Sequence, residues 1–95
     1  MSAFVVFIRE STSNENDMEK YGELARPTLA GRPAKPLAFY GKLEVLEGPM
    51  FEGAVILEFS SAEEARSWYL SPEYQAAAEL RKSASHFRVF ILEGV

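Results

Sequence analysis

The chain has 95 residues, of which 47% are hydrophobic, with a net charge of −4 and no cysteine. That length predicts one domain over residues 1–95, and the missing thiols exclude disulfides, zinc ribbons and cysteine catalysis. Acidic charge argues against nucleic acid, since the nearest thing to a basic patch is Arg26, Arg32 and Lys35. The longest apolar run, Ala3 to Ile8, is too short to span a bilayer.

The N-terminus has no basic start, long apolar run and small-residue cleavage site, so no signal peptide is expected and a cytoplasmic location is. Ala3 to Arg9 reads as a strand, with Phe4, Val6 and Ile8 on one face and Ala3, Val5 and Phe7 on the other. Both faces are apolar, so the strand is predicted to be buried on both sides. Ser11 to Asn16 is a polar loop in which Asn14 or Asn16 can cap a helix. Met18, Tyr21, Leu24, Ala25 and Leu29 follow at helical spacing, and Pro27 should kink or end that helix.

Ala30 to Pro36 reads as a loop, and Leu37 to Glu47 as a second strand bent near Gly41. A short connection through Gly48-Pro49 leads to a third strand, Ala54 to Phe59, apolar on both faces apart from Glu58. Ser61 and Glu64 then have the spacing of a capping box, and Ala62, Ala65, Trp68 and Tyr69 form the inner stripe of a helix. Ser71 and Pro72 are the expected cap and first residue of a restart, so the helix is predicted to be split in two. The second piece carries Tyr74, Ala77, Ala78 and Arg81, and Phe87 to Leu92 is the last strand.

This order is β-α-β-β-α-β, the ferredoxin-like α+β arrangement of a four-stranded antiparallel sheet with helices on one face. A sheet whose strands are apolar on both sides, covered by helices on one side alone, would expose a large patch. The expected resolution is a homodimer in which two sheets pack face to face into a barrel.

The chain resembles the domain-of-unknown-function 1330 family of the dimeric α/β-barrel superfamily. The match is carried by Glu44-Val45-Leu46-Glu47-Gly48, by Glu58-Phe59, by Ala65 to Tyr74, and by Leu92-Glu93-Gly94-Val95. It departs from the common form before the second strand, where Phe39-Tyr40-Gly41 stands in place of an arginine followed by glycines. The resemblance implies a dimeric barrel but no activity. The wider superfamily includes cofactor-free monooxygenases, small isomerases, haem-dependent enzymes and proteins without known catalysis, so the fold alone cannot choose.

Candidate functional residues are few. His86, the single histidine, can serve as a general base or as an axial haem ligand, although a solvated histidine at a strand start is the ordinary outcome. Glu58 interrupts an apolar strand; an ion pair with Arg88 inside the barrel is its expected role, and a base in a cleft is the alternative. Tyr40, Trp68 and Tyr69 are the candidate ligand-binding aromatics, to be weighed against a purely core role. No phosphate-binding glycine loop or multi-histidine metal set is present in the sequence, so no cofactor is expected. Two functions follow. The first is a small-molecule-binding homodimer with a partly apolar cleft between sheet and helices. The alternative is a cofactor-independent monooxygenase- or isomerase-like enzyme, using His86, Glu58 or a tyrosine as base.

Overall fold

A computed structural model describes residues 1–95. It contains β1 (Ala3–Thr12), α1 (Glu15–Ala25), a 3-10 turn (Arg26–Leu29), β2 (Ala34–Phe39), β3 (Gly53–Phe59), α2 (Ala62–Tyr69), α3 (Pro72–Ala84) and β4 (Ser85–Glu93). The strands form one antiparallel sheet in the order β2-β3-β1-β4, the ferredoxin-like topology read from the sequence. No helix is long and apolar enough to cross a membrane.

Capping chemistry sets the helix boundaries. Asn14 is the N-cap of α1, its side chain accepting from the Asp17 N–H at 3.0 Å. Ser61 does the same for α2 through the Glu64 N–H at 3.1 Å. The break between α2 and α3 falls at Ser71, whose extended ψ of 144° interrupts the helical path. Its hydroxyl accepts from the Tyr74 N–H at 3.3 Å and donates to the Trp68 carbonyl at 2.7 Å, so one side chain closes one helix and opens the next. Pro27 enters the 3-10 turn near its start, where its missing N–H leaves no bond unmade.

The second strand departs from expectation. It occupies 34–39, starting inside the stretch read as a loop and stopping well short of the expected end at 47. Tyr40 adopts a φ of 52°, which ends the extended run, and residues 41–52 have no regular secondary structure. The apolar residues that suggested a longer strand are exposed there, Leu43 at 36% and Leu46 at 84%.

On one face of the sheet Val5, Phe7, Val55, Leu57 and Phe59 pack with Ala65, Trp68, Tyr74 and Ala78 into the core. Trp68 lies 4.2 Å from Tyr74 and 5.6 Å from Phe59 between ring centroids, and it is 2% exposed. The other face carries Phe4, Val6, Ile8, Ile56, Phe90 and Leu92 and has no helix on it. Along β4 this produces half-buried Val89 and Ile91 alternating with Phe90 at 43% and Leu92 at 58% exposure.

Candidate functional site

The helix layer does not cover its face of the sheet evenly. α2 sits on the strands, whereas α1 packs along α3 and stands off from the sheet. The gap is a cleft of about 950 Å³, walled on one side by α1 and the 3-10 turn and on the other by β1, β2 and β3. Its surface is mainly apolar, contributed by Phe7, Met18, Leu29, Phe39, Val55 and Leu57 among others. Volume and lining fall in the range of small-molecule sites.

Two of the three aromatics singled out from sequence line this cleft. Trp68 forms its floor, and the indole N–H is already spent on Thr28 Oγ1 at 2.9 Å, which in turn donates to the Ala25 carbonyl at 2.6 Å. The indole N–H is therefore already committed within the protein. Tyr40 stands at the mouth. Its left-handed backbone lays the ring over Gly53, where an added Cβ would come 2.7 Å from Tyr40 Cδ1. Tyr69 is not part of the lining; its ring packs 5.4 Å from that of Tyr74.

The two proposed catalytic side chains lie elsewhere. His86 is exposed and aligned with Ser11 on β1, in phase with Arg88, Phe90 and Leu92 on the uncovered face. Glu58 sits on that same face, in register with Phe4 and Lys35. The expected Glu58–Arg88 pair does not form within the protomer. Arg88 pairs with Glu10 at 3.7 Å, because the register sets it opposite Ile8, four residues along β1 from the partner of Glu58. The sheet itself separates both candidates from the cleft.

Other residues do enter the site. Tyr21, from the apolar stripe of α1, lines the cleft and shares a 2.7 Å hydrogen bond with the hydroxyl of buried Tyr74. Arg9, in phase with Phe7 on β1, reaches the mouth with its guanidinium 5.6 Å from the Tyr40 ring centre. Its charge is matched by Glu15 at 3.1 Å and Glu52 at 3.2 Å, while Thr12 Oγ1 accepts from Nε at 2.7 Å. Behind the floor lies Arg81, only 4% exposed, with its guanidinium 5.2 Å from the Phe87 ring centre, 5.8 Å from Tyr21 and 5.9 Å from Phe7. Each of these residues was visible in the sequence through its phase on a strand or stripe. Arg81 in particular continues the inner row Tyr74, Ala77, Ala78, where an unpaired cation is out of place.

Burial dominates the electrostatics of the tyrosines. It raises the Tyr21 hydroxyl far above its ordinary value, with neighbouring Tyr74 adding to the effect. Burial also raises Tyr74, against the opposing charge of Arg81, and raises Tyr40, against the opposing charge of Arg9. All three are therefore neutral hydrogen-bonding groups near neutral pH, poorly suited to removing a proton. Burial by itself disfavours the Arg81 charge, but the Tyr74 and Tyr21 hydroxyls beside it oppose that effect and the group is held above its usual value. No group of three His, Cys, Asp or Glu side chains is placed to hold a metal ion.

Residues 2–95 match the family described as Domain of unknown function (DUF1330). No curated protein matches the sequence. Among solved structures, a protein of unknown function from Rhodopseudomonas palustris superposes with a TM-score of 0.79 at 18% identity, covering 99% of this chain and 82% of that one. A dimeric ferredoxin-like protein of unknown function from Jannaschia sp. CCS1 gives 0.71 at 15% identity over 99% and 100% of the two chains. SnoaB, a cofactor-independent oxygenase from Streptomyces nogalater, gives 0.64 at 9% identity over 99% and 93%. At these identities the likeness is one of fold.

Proposed function

This chain belongs to the DUF1330 family, which has no assigned activity, and we propose that it is a homodimer binding one small, partly apolar molecule in the cleft of each protomer. The observation that carries the reading is the cleft itself, about 950 Å³ of mainly apolar wall with Tyr21, Tyr40 and Arg9 as its few polar points. A filled core would have no such space. Apolar walls supply binding energy by desolvation, and sparse polar tips fix orientation.

Dimerisation is supported by the uncovered sheet face, where Phe4, Val6, Ile8, Ile56, Phe90 and Leu92 meet no helix of their own protomer. Structural relatives from Jannaschia sp. CCS1 and Thermobifida fusca are described as dimeric. Pairing through that face leaves both clefts open, because they lie on the opposite side of each sheet.

The oxygenase among the structural relatives keeps a cofactor-independent enzyme as the second reading. In this chain it lacks its expected bases, because His86 and Glu58 face away from the cleft and the cleft tyrosines hold their protons. Binding without chemistry is the better account.

Trp68 is the only tryptophan and lies in the cleft floor, so it reports occupancy directly. Titration with naphthalene-sized aromatic probes should change its fluorescence saturably and raise the melting temperature. Probes that leave both unchanged across the series would refute a ligand cleft.

A further inference from the structure

The buried arginine behind the cleft has no counter-charge. No carboxylate lies within ion-pair distance of Arg81, and its Nε and Nη2 have no hydrogen-bond partner. A buried cation in this state is costly, and buried charges are ordinarily paired. The rings of Phe7, Tyr21 and Phe87 offset part of that cost by presenting their electron-rich faces. Ring faces tolerate a cation without neutralising it, so the positive field survives. All three of those residues line the cleft, which places the field at its floor.

The remaining charges around the cleft do not cancel it. Arg9 is matched by Glu15 and Glu52. Arg26, Glu19 and Glu23 are exposed at the rim, where water and salt screen them. Arg81 is left as the charge without a carboxylate partner, in surroundings that screen it least. The two unpartnered atoms also have a geometry. Nε and Nη2 form the side-on edge of a guanidinium, the edge that meets a carboxylate with two parallel hydrogen bonds.

We propose that the cleft selects small aromatic monocarboxylates over neutral molecules of the same shape, with Arg81 as the selecting charge. The inference rests on the cleft being a ligand site and adds the chemical class of the ligand. The guanidinium lies behind the ring layer in the unliganded protein, so its charge acts across those rings. A single buried cation without a phosphate-binding loop suits one negative charge rather than a phosphate.

The test is calorimetric titration of the full chain with naphthoate and with naphthamide, which share size and shape and differ in charge. Naphthoate should bind at least about tenfold more tightly. Arg81→Met should abolish that preference, and Arg81→Lys should retain part of it. Equal affinities in the wild-type protein would overturn the inference while leaving the cleft reading intact. A preference that survives in Arg81→Met would assign the charge to Arg9 or Arg26 and equally overturn it. Binding of neither probe would remove the cleft reading and this inference together. The wild-type comparison stands even if Arg81→Met fails to fold.

Discussion

Val5 and Phe7 on β1 are buried under the protein's own helices, while Val6 and Ile8, one residue along, face outward from the same strand. β3 repeats the contrast, with Val55 and Leu57 inside and Ala54 and Ile56 outside. The two faces are therefore made of the same residue types, and only one is covered. Composition alone does not determine a face's environment; connectivity does. Each crossover between strands carries its helix to the same side, so one side becomes core and the other is left without a helix of its own. The covered face is itself uneven. Under α2 it is packed solid around Trp68, and under α1 it is left open as the cleft.

Removing Trp68 should produce the largest effect, because it is the ring shared by core and cleft. Trp68→Ala empties the centre of an aromatic cluster and leaves Thr28 without its indole partner. A loss of about 3–5 kcal/mol in unfolding free energy is expected, measured by denaturant titration. A loss below about 1 kcal/mol would show that the covered face is packed no better than the open one.

A charge placed on the uncovered face separates the two faces most directly. Val6 lies at the centre of that face, opposite Ile56 on β3 and Phe90 on β4. Val6→Glu should weaken dimerisation by about 3 kcal/mol, since an unpaired carboxylate would be buried between the sheets. Sedimentation at micromolar concentration should show dimers for the wild type and monomers for the variant. A wild-type monomer would mean that the apolar face is tolerated in water.

The same contrast explains how far the sequence could be read. The element order, the Asn14, Ser61 and Ser71 caps and the helix break are local, and capping and strand patterns reported them faithfully. The family resemblance rested on the same local motifs. The position of β2 is misread because apolar Leu43, Val45 and Leu46 resemble strand residues, whereas Tyr40 in a left-handed conformation ends the strand before them. The site was only partly legible. Tyr40 and Trp68 reach the cleft, but Tyr69 does not, and His86 and Glu58 lie across the sheet from it. Period-two alternation shows that His86 shares a face with Phe90; it does not show which face the helices cover. Arg81 escaped notice as a site residue because its partners are rings contributed by β1, α1 and β4 rather than neighbours in sequence.

The smallest effect tests the boundary between packed core and open cleft, at the Tyr21–Tyr74 hydrogen bond. Tyr21→Phe removes one hydroxyl and leaves that of buried Tyr74 without its 2.7 Å partner, for an expected loss of about 1 kcal/mol at neutral pH. The sign of the pH dependence sharpens the test. Burial, and then Tyr74, raise the Tyr21 pKa in the folded protein, so the folded state keeps its proton where the unfolded chain releases it. The stabilisation is thus complete below the ordinary tyrosine value of about 10 and is lost as the pH rises above it. Each tyrosine held in this way contributes a slope of about 1.4 kcal/mol per pH unit in that alkaline range. Tyr21→Phe should remove one such contribution, so its deficit at neutral pH narrows as the pH is raised past 10, where wild type falls more steeply. Denaturant titrations of both proteins from neutral to alkaline pH measure this directly. Parallel curves would mean that the Tyr21 hydroxyl is hydrated in solution and that the cleft admits water as far as Tyr74.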